Sequence, residues 1–412
     1  MVTKPNLLIV GEYNRKDYID LFKASQHSFN YYFLEYISPK EVKNKYYKNF
    51  GKAIFWGDYK SANDLLQIIR PDKVVFFFIE SYFHVILNLA CKTQNISTYL
   101  MDHGIRDSNI NIRLEQHFVI GQRTSVPSRI KKIFHFKEHI KAQIFLRNSI
   151  KDLSKEELFF FSAFYNIRSK NDFINTFKII DSPLRTANIY ISFSSKTFDV
   201  HKYYDHLSNN KKVHFIGIPS YDHLVDLKPK TKAKSQILFI DQGLVTRRFF
   251  GWTEAIYKHF IVQFNKICSI HGYQLLVKLH PIQPETDIKL WSSLSNARII
   301  ENEDLMLQLP FTRLIVGFSS TYLLPLAALE YTTLITLENH PAGKLDVSKS
   351  FIDAGVAHPV YKLEELHQIL PNIAQFHQQQ LPNKAKFTEE WMYKFDGKSG
   401  ERLRNILLSN EL

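Results

Sequence analysis

Short apolar segments recur along the chain, each closed by polar residues or glycine. They are rich in Val, Ile, Phe and Tyr, which favour strands. In the first half the predicted strands are Leu7–Val10, Ala53–Trp56, Val74–Ile79, Thr98–Met101 and Phe118–Ile120. Segments with apolar residues at helical spacing lie between them, among them Ala62–Ile69 and Tyr82–Cys91. Strands that alternate with helices predict βαβ units and a parallel sheet.

The second half of the chain repeats this alternation. Its predicted strands are Ile237–Ile240, Gln274–Leu279, Arg298–Ile300, Leu314–Gly317 and Thr333–Leu337. Its predicted helices include Trp252–Ile270 and Tyr322–Glu330. Between the halves lie two more predicted strands, Ile189–Phe193 and Val213–Ile218, and then the polar, Lys-rich segment Asp226–Ser235.

That polar segment marks the predicted domain boundary. We predict an α/β fold of two doubly wound, Rossmann-like domains, residues 1–225 and residues 226–412, that face a central cleft. Sheets of this kind bind their ligands beyond the carboxyl ends of the strands. Residues at strand ends are therefore the first candidates for a functional site.

Length and composition agree with two globular domains. The chain has 412 residues, 45% of them hydrophobic, and its 33 Phe and 21 Tyr argue against disorder. The first apolar run ends at Val10 and is soon followed by Glu12, so no secretory signal is predicted. No apolar run reaches the roughly 18 residues of a membrane span. The two cysteines, Cys91 and Cys268, predict neither a disulfide framework nor a zinc site and fit a reducing cytoplasm.

The net charge of +13 predicts an anionic partner. Nucleic acid, a phosphate-bearing substrate, an acidic polymer and anionic lipid all meet that description. A basic nucleic-acid-binding protein is the alternative outside the enzymes. The sequence shows no RNP-type aromatic signature and no helix-turn-helix pattern, so we predict no nucleic-acid partner.

The basic charge is concentrated in Arg129–Lys151, which contains seven Lys and Arg residues and only one acidic residue, Glu138. The residues at near-helical spacing are mostly apolar: Ile130, Ile133, Phe134, Lys137, Ile140, Ile144 and Phe145. Such a basic amphipathic helix can lie on an anionic membrane surface. A packed helix with a solvated basic face explains the same pattern.

The segment Lys278-Leu279-His280-Pro281 ends a predicted strand. An imidazole at the carboxyl end of a parallel strand can donate a hydrogen bond to a phosphate oxygen. Pro281 would fix the turn that aims His280. An ordinary loop histidine followed by a turn proline explains the same residues.

Three hydroxyl residues, Ser319, Ser320 and Thr321, follow the predicted strand Leu314–Gly317 and precede an apolar helix. They can cap that helix, and its first N–H groups can bind an anion. Capping alone needs only one hydroxyl, so three in succession favour a phosphate site.

Met101-Asp102-His103-Gly104 ends a predicted strand of the first domain. Either the carboxylate or the imidazole could take a proton from an acceptor hydroxyl. A turn stabilised by the Asp side chain is the other interpretation.

A weaker candidate segment begins at Gly243 and includes Arg247, which could reach a phosphate or form part of a solvated surface. The chain contains no Gly-x-Gly-x-x-Gly motif, Walker loop, Asp-x-Asp pair or His/Cys cluster with metal spacing. These absences favour a mechanism without a metal.

Taken in order, the motifs at Asp102-His103-Gly104, at His280-Pro281 and at Ser319-Ser320-Thr321 resemble those of bacterial sialyltransferases and polysialyltransferases, and of the related Kdo transferases of capsule and lipopolysaccharide assembly. Those families carry an acidic-acidic-Gly motif, a His-Pro motif and a Ser-Ser/Thr motif. This chain departs from them at His103, which stands at the second acidic position.

The resemblance implies an inverting GT-B glycosyltransferase with no metal or other cofactor, an acceptor domain at residues 1–225 and a nucleotide-sugar domain at residues 226–412. His280 and Ser319/Ser320 would hold the donor phosphate, and Asp102 or His103 would be the base. Lys278, at the same strand end as His280, would add positive charge beside the phosphate. The implied donor is a CMP-activated acidic sugar such as sialic acid or Kdo, and the acceptor is a surface glycan, free or lipid-linked. The enzyme would work in the cytoplasm or at the inner face of its membrane.

Two other activities of the same fold stay open. One is a CDP-glycerol-type phosphotransferase, and the other is a UDP-sugar transferase or epimerase. The epimerases carry a Ser-Gly-Gly run, and glycine is absent directly after Ser319.

Overall fold

Two parallel sheets organise the part of the chain that the computed structural model describes, which is residues 4–104, 136–280 and 283–409. Each sheet is the centre of one compact unit. The first unit contains the described residues up to Asp222 together with residues 396–409, and the second contains the described residues of 223–395.

The sheet of the first unit has seven described strands in the order β3-β2-β1-β4-β5-β6-β7. They are β1 Asn6–Val10, β2 Asn30–Leu34, β3 Gly51–Ile54, β4 Lys73–Phe76, β5 Ser97–Met101, β6 Ile189–Ser192 and β7 Val213–Phe215. Central strands such as β4 and β6 are buried along their whole length. Apolar residues therefore fill both faces, as expected where helices cover a parallel sheet on both sides.

Seven described α-helices of the first unit lie before Asp222, and several of them begin at polar caps that the sequence provides. They are α1 Lys16–Asp20, α2 Ala62–Ile69, α3 Tyr82–Thr93, α4 Phe136–Lys151, α5 Lys155–Arg168, α6 Phe173–Ile179 and α7 Ser195–Asp205. Ser61, Ser81 and Ser154 each accept a backbone N–H from the first turn of the helix that follows. Such a cap stabilises a helix by about 1 kcal/mol.

The sheet of the second unit has six described strands in the order β10-β9-β8-β11-β12-β13. They are β8 Gln236–Ile240, β9 Gln274–Lys278, β10 Ala297–Ile299, β11 Leu314–Gly317, β12 Thr333–Leu337 and β13 Ala357–Val360. The described helices are α8 Glu254–Ile270, α9 Glu285–Ser292, α10 Asn302–Gln308, α11 Leu323–Ala328, α12 Lys349–Asp353, α13 Leu366–Ile369, α14 Ile373–Gln380 and α15 Lys384–Met392.

The last helix, α16 Ser399–Leu408, packs on the first unit although it follows the second in sequence. Asp222 accepts the backbone N–H groups of Ser399 and Gly400 (3.0 and 2.8 Å). Lys73 donates to the Ile406 carbonyl (3.1 Å). The predicted second domain, residues 226–412, included this helix, so the contacts of the folded chain divide it differently.

Most predicted strands agree with the structure to within a few residues, and β11 and β12 coincide with their predictions. Two strands, β2 and β13, were not predicted. β13 carries Pro359, which is tolerated because this strand lies at the edge of its sheet. The predicted strand Phe118–Ile120 lies outside the described residues.

Within the described ranges, no helix is both long enough and apolar enough to span a membrane.

Candidate functional site

Three strand ends lie side by side at the carboxyl edge of the second sheet. β8 pairs with β9 on one side and with β11 on the other, and Ile240 is in register with both Lys278 and Gly317. The strand order changes direction at β8, which is where doubly wound sheets bind ligands. The residues that follow these strands include most of the predicted phosphate-binding positions.

His280 and Arg247 meet at this edge. One guanidinium nitrogen of Arg247, Nη2, lies 2.8 Å from His280 Nε2. Because guanidinium groups only donate, Nε2 accepts this hydrogen bond and the imidazole is neutral, with its proton on Nδ1. The folded chain therefore joins two residues that the sequence offered as separate candidates.

The neighbouring predicted residues fall at the same edge. Gly243 has a positive φ of 63°, a conformation that favours glycine, and its carbonyl accepts the Arg247 backbone N–H (3.1 Å). Lys278 is the last residue of β9 and is half-buried. Pro281 lies outside the described residues.

The three hydroxyl residues after β11 differ in their environments. Ser319 is 4% exposed, and its Oγ makes no hydrogen bond to any described residue. Ser320 Oγ accepts the Tyr322 backbone N–H (3.3 Å), and Thr321 is exposed. Leaving a buried hydroxyl unpaired costs about 1–3 kcal/mol. Helix capping does not explain Ser319, whereas a ligand oxygen would satisfy it.

In the first unit, Asp102 follows β5 and is buried. Its Oδ2 accepts hydrogen bonds from Ser192 Oγ (2.6 Å) and from the Phe193 backbone N–H (2.9 Å). Its Oδ1 accepts one from His201 Nε2 (2.6 Å). Burial alone would raise the pKa of Asp102, but the His201 imidazole and these hydrogen bonds outweigh it and lower the pKa to about 2.

His201 continues this network away from Asp102. Its Nδ1 lies 3.7 Å from Asp205 Oδ2, and Asp205 also accepts hydrogen bonds from Arg185 (2.8 Å) and from the Tyr190 hydroxyl (2.8 Å). Nothing in the local sequence pattern singled out His201, because it lies 99 residues from Asp102 and within helix α7. A buried polar network of this kind fixes the positions of the strand ends that it joins.

His103, unlike Asp102, is half-buried, and aromatic rings surround it. Its ring centroid lies 4.2 Å from that of Phe78, 4.7 Å from that of Tyr18 and 5.5 Å from that of Phe77. The neighbouring Gly104 is also half-buried, and a Cβ there would meet no atom within 4 Å. Of the two candidate bases, His103 is thus the more accessible to an acceptor.

The buried Asp102 network gives a prediction about acid stability. Because the folded-state pKa of Asp102 lies below the ordinary value, its contribution is present above about pH 4 and is lost as the pH falls towards 2. Asp102→Asn is therefore expected to lower the free energy of unfolding by about 2–3 kcal/mol near neutral pH. Denaturant unfolding of parent and variant at pH 7, 5, 4 and 3 measures the difference.

The matched control is Asp199→Asn, since Asp199 is an exposed carboxylate on the same helix as His201. Its effect is expected to stay within about 0.5 kcal/mol. A parent-to-Asp102→Asn difference that is as large at pH 3 as at pH 7 would show that ionisation of Asp102 is not what stabilises the fold.

Among the residues that the structure describes, no group of three or more His, Cys, Asp or Glu side chains is arranged to hold a metal ion.

Sequence comparison decides the family. The sequence model of the alpha-2,8-polysialyltransferase family matches residues 2–338, a range that includes the motifs at Asp102, His280 and Ser319. The chain belongs to the alpha-2,8-polysialyltransferase family. The predicted resemblance is confirmed, and so is the assignment as a glycosyltransferase. A search of curated proteins gives no match.

Solved structures similar to this polysialyltransferase-family chain are glycosyltransferases of GT-B fold. The wall teichoic acid polymerase TagF is 12% identical, with a TM-score of 0.51 over 98% of this chain and 88% of that one. MurG of Acinetobacter baumannii is 11% identical, with a TM-score of 0.53 over 98% and 99% of the two chains. The calicheamicin glycosyltransferase CalG4 is 11% identical, with a TM-score of 0.52 over 98% of each.

At these identities the likeness concerns the fold alone, and the predicted GT-B class is confirmed. A glycosyltransferase of this family takes its sugar from a nucleotide-sugar donor and passes it to a glycan acceptor.

Proposed function

We propose that this chain moves an acidic sugar of the sialic acid or Kdo class from a CMP donor to a bacterial surface glycan, with inversion and without a metal. The observation that carries the proposal is the Arg247–His280 pair at the carboxyl edge of the second sheet. Ser319, which has a buried hydroxyl without a partner among the described residues, follows a strand of the same edge. Together they form a site suited to a phosphate.

The second unit would bind the donor. Arg247 and Lys278 supply positive charge, neutral His280 supplies an N–H donor, and Ser319 supplies a hydroxyl. Ser320 and Thr321 follow directly in the chain and complete the set of hydroxyls. These groups would meet the negative charge that grows on the phosphate as the nucleotide departs, which is the task that a divalent ion performs in metal-dependent transferases.

The first unit would supply the base, and we assign that role to His103. A carboxylate with a pKa of about 2 holds a proton poorly, and Asp102 already accepts three hydrogen bonds. Asp102 would instead fix the end of β5 and so position His103. The acceptor hydroxyl oxygen attacks the anomeric carbon, and its proton passes to His103. The bond between that carbon and the phosphate oxygen breaks, and its electron pair leaves with CMP.

Nucleotide binding tests the donor assignment. A ligand that binds the folded state raises the melting temperature, by the equivalent of about 2.7 kcal/mol at a hundred times its Kd. Among CMP, CDP, UDP and GDP at equal concentration, CMP is expected to give the largest shift, in the presence of EDTA as well as without it. His280→Ala is expected to make the CMP shift smaller, because the phosphate loses one hydrogen-bond donor.

Each other outcome has a definite meaning. A largest shift with CDP would favour a glycerol-phosphate transferase, and one with UDP would favour a UDP-sugar enzyme. A shift that requires a divalent ion would contradict the metal-free proposal. No shift with any nucleotide would contradict the donor site itself.

Helix α4 supports a second part of the proposal, contact with an anionic membrane at its cytoplasmic side. The buried face of this helix consists of Ala142, Phe145 and Leu146. Ile140 and Ile144 are 42% and 50% exposed, so they are not part of the core. The exposed residues also include four basic ones, Lys137, Lys141, Arg147 and Lys151. The part of Arg129–Lys151 before Phe136 lies outside the described residues.

Charge reversal at Lys137, Lys141, Arg147 and Lys151 to Glu is expected to weaken binding to phosphatidylserine liposomes strongly. Each basic residue near anionic lipid contributes about 1 kcal/mol to binding. Reversing four of them is therefore expected to lower the affinity of the protein for these liposomes by about a hundredfold or more. Liposome co-sedimentation at low and at physiological salt measures the change. Activity on a short, soluble, neutral acceptor is expected to survive.

The control reverses four other exposed lysines, Lys23, Lys48, Lys258 and Lys266, and so changes the net charge equally. If both quadruple variants lose liposome binding to the same extent, the effect is one of net charge. If neither loses it, helix α4 is only structural.

A further inference from the structure

Two loops carry the groups that would hold the donor phosphate, and they are far apart in sequence. The loop after β8 presents Arg247, and the segment after β9 presents His280. Their 2.8 Å contact exists only if both loops are held in place at once. The surrounding polar contacts show what holds them.

Asp241 is the first residue after β8 and is buried. Its Oδ1 accepts the backbone N–H groups of Gln242 (2.6 Å) and Gly243 (3.4 Å), which begin the loop that carries Arg247. Its own backbone N–H donates to the Lys278 carbonyl (3.0 Å), two residues before His280. The other carboxylate oxygen, Oδ2, accepts a hydrogen bond from the Tyr257 hydroxyl.

Gln283 connects the same Oδ2 to the His280 segment. Its backbone N–H donates to the His280 carbonyl (3.0 Å). Its side-chain Nε2 donates to Asp241 Oδ2 (2.7 Å) and to Asp287 Oδ2 (3.0 Å), and lies 3.1 Å from the Tyr257 hydroxyl. An amide nitrogen has two hydrogens, so both are used by the two carboxylates.

The two carboxylates would repel each other without this amide. Burial, and next the charge of Asp241, raise the pKa of Asp287 to about 6, and burial also raises the pKa of Asp241. A donor between two such groups is favourable because it satisfies acceptors that cannot reach water. Replacing the Gln283 side chain therefore removes more than one hydrogen bond.

We propose that Asp241 and Gln283 are positioning residues that lock the Arg247 loop to the His280 segment, so that the two donor groups reach the phosphate together. This inference rests on the proposed function, in which Arg247 and His280 bind the donor. Asp241 and Gln283 themselves do not touch the substrate in this proposal. They act through the loops that they join.

Gln283→Met is the primary test, because methionine keeps the size of the side chain and loses both donors. Misplacing a catalytic group by about 1 Å can cost up to a hundredfold in rate, so kcat is expected to fall about ten- to a hundredfold, and by more than the KM of the nucleotide sugar rises. In a His280→Ala background the same change is expected to cost less than about threefold, because one of the two groups that it brings together is already absent.

Gln236→Met is the matched control. Gln236 is a buried glutamine of the second unit, whereas Gln283 is half-buried; it lies at the opposite end of β8 from Asp241, and its amide donates to Thr312 Oγ1 (2.6 Å). The control is expected to lower the melting temperature as Gln283→Met does while leaving kcat and KM within about twofold of the parent. Should Gln283→Met fail to fold, Gln283→Asn tests the same point, because its shorter amide remains polar but cannot reach both carboxylates.

The outcomes separate the inference from the function on which it rests. If His280→Ala and Arg247→Ala are strongly slowed but the folded Gln283 variant has parental kinetics, the positioning role is wrong and the donor site stands. The positioning role is also wrong if the rate losses of Gln283→Met and His280→Ala multiply in the double variant. It is wrong too if Gln236→Met loses as much activity as Gln283→Met. If His280→Ala and Arg247→Ala themselves keep parental kinetics, the proposed donor site is what has failed.

Discussion

The His280→Ala variant is expected to transfer sugar at least about a hundred times more slowly than the parent enzyme, because it loses a donor aimed at a developing phosphate charge. Arg247 donates to Nε2, so the proton of the neutral imidazole is on Nδ1, from which it can be donated to the phosphate. The loss is expected in kcat more than in KM, since the charge is greatest in the transition state. Initial rates at saturating nucleotide sugar measure it.

Two further variants make this result specific. His280→Asn retains a side-chain N–H close to the position of Nδ1 and is expected to recover part of the lost rate. His271→Ala removes another histidine of the second unit, one whose Nε2 lies 3.0 Å from His367 Nδ1, and is expected to be neutral. Near-parental turnover by folded His280→Ala would remove His280 from the reaction.

His103→Ala is expected to lower kcat by about a hundred- to ten-thousandfold, the range that a positioned base contributes. Imidazoles ordinarily titrate near pH 6.5, so kcat of the parent is expected to fall as the pH drops through about that value. A carboxylate base with the pKa of Asp102, about 2, would instead stay ionised and leave kcat flat above about pH 4. The pH–rate profile therefore distinguishes the two candidates.

Titration of Asp287 could produce the same fall in kcat at low pH, because its pKa is about 6. The pH–rate profile is therefore measured in Asp287→Asn as well, where a fall in kcat that arises from His103 persists. His103→Gln keeps a polar side chain that cannot take up a proton and is expected to be as slow as His103→Ala. If Asp102→Asn, corrected for the fraction folded, is slower than both His103 variants, Asp102 is the base and the assignment to His103 is wrong.

The sequence predicted the fold well where burial leaves a simple pattern. Strands such as β11 and β12 are buried along their whole length because helices cover both faces of the sheet, and their mostly apolar runs are easily recognised. β13 was missed because an edge strand is buried on fewer sides and can contain residues such as His358 and Pro359. Helix α16 was not predicted, and its packing on the first unit could not be read from local pattern, since its partners lie in distant segments.

For the candidate site, the sequence predicted which residues lie at the strand ends but not which of them contact one another. Parallel strands end at one edge, so the strand pattern alone places residues such as His280 and Ser319 there. The Arg247–His280 contact, and the links from Asp241 to Gln283 and from Asp102 to His201, join residues 33, 42 and 99 positions apart. Periodicity carries no information on such pairs. The one available signal was a carboxylate directly after an apolar strand, which marks Asp241 as well as Asp102.

The position of helix α16 affects how the chain folds during synthesis. The first unit needs contacts between Lys73 and Ile406, which lie 333 residues apart, whereas the described residues of the second unit come from one stretch of the chain. A ribosome adds about 5–20 residues per second, so the last helix of the amino-terminal unit follows Asp222 by about 10–40 seconds, and the second unit is synthesised during that interval. We therefore expect the usual order, in which the amino-terminal part of a protein folds first, to be reversed. Protease digestion of released chains that end at residue 395 would show this order as a resistant second unit beside a first unit that is still cleaved.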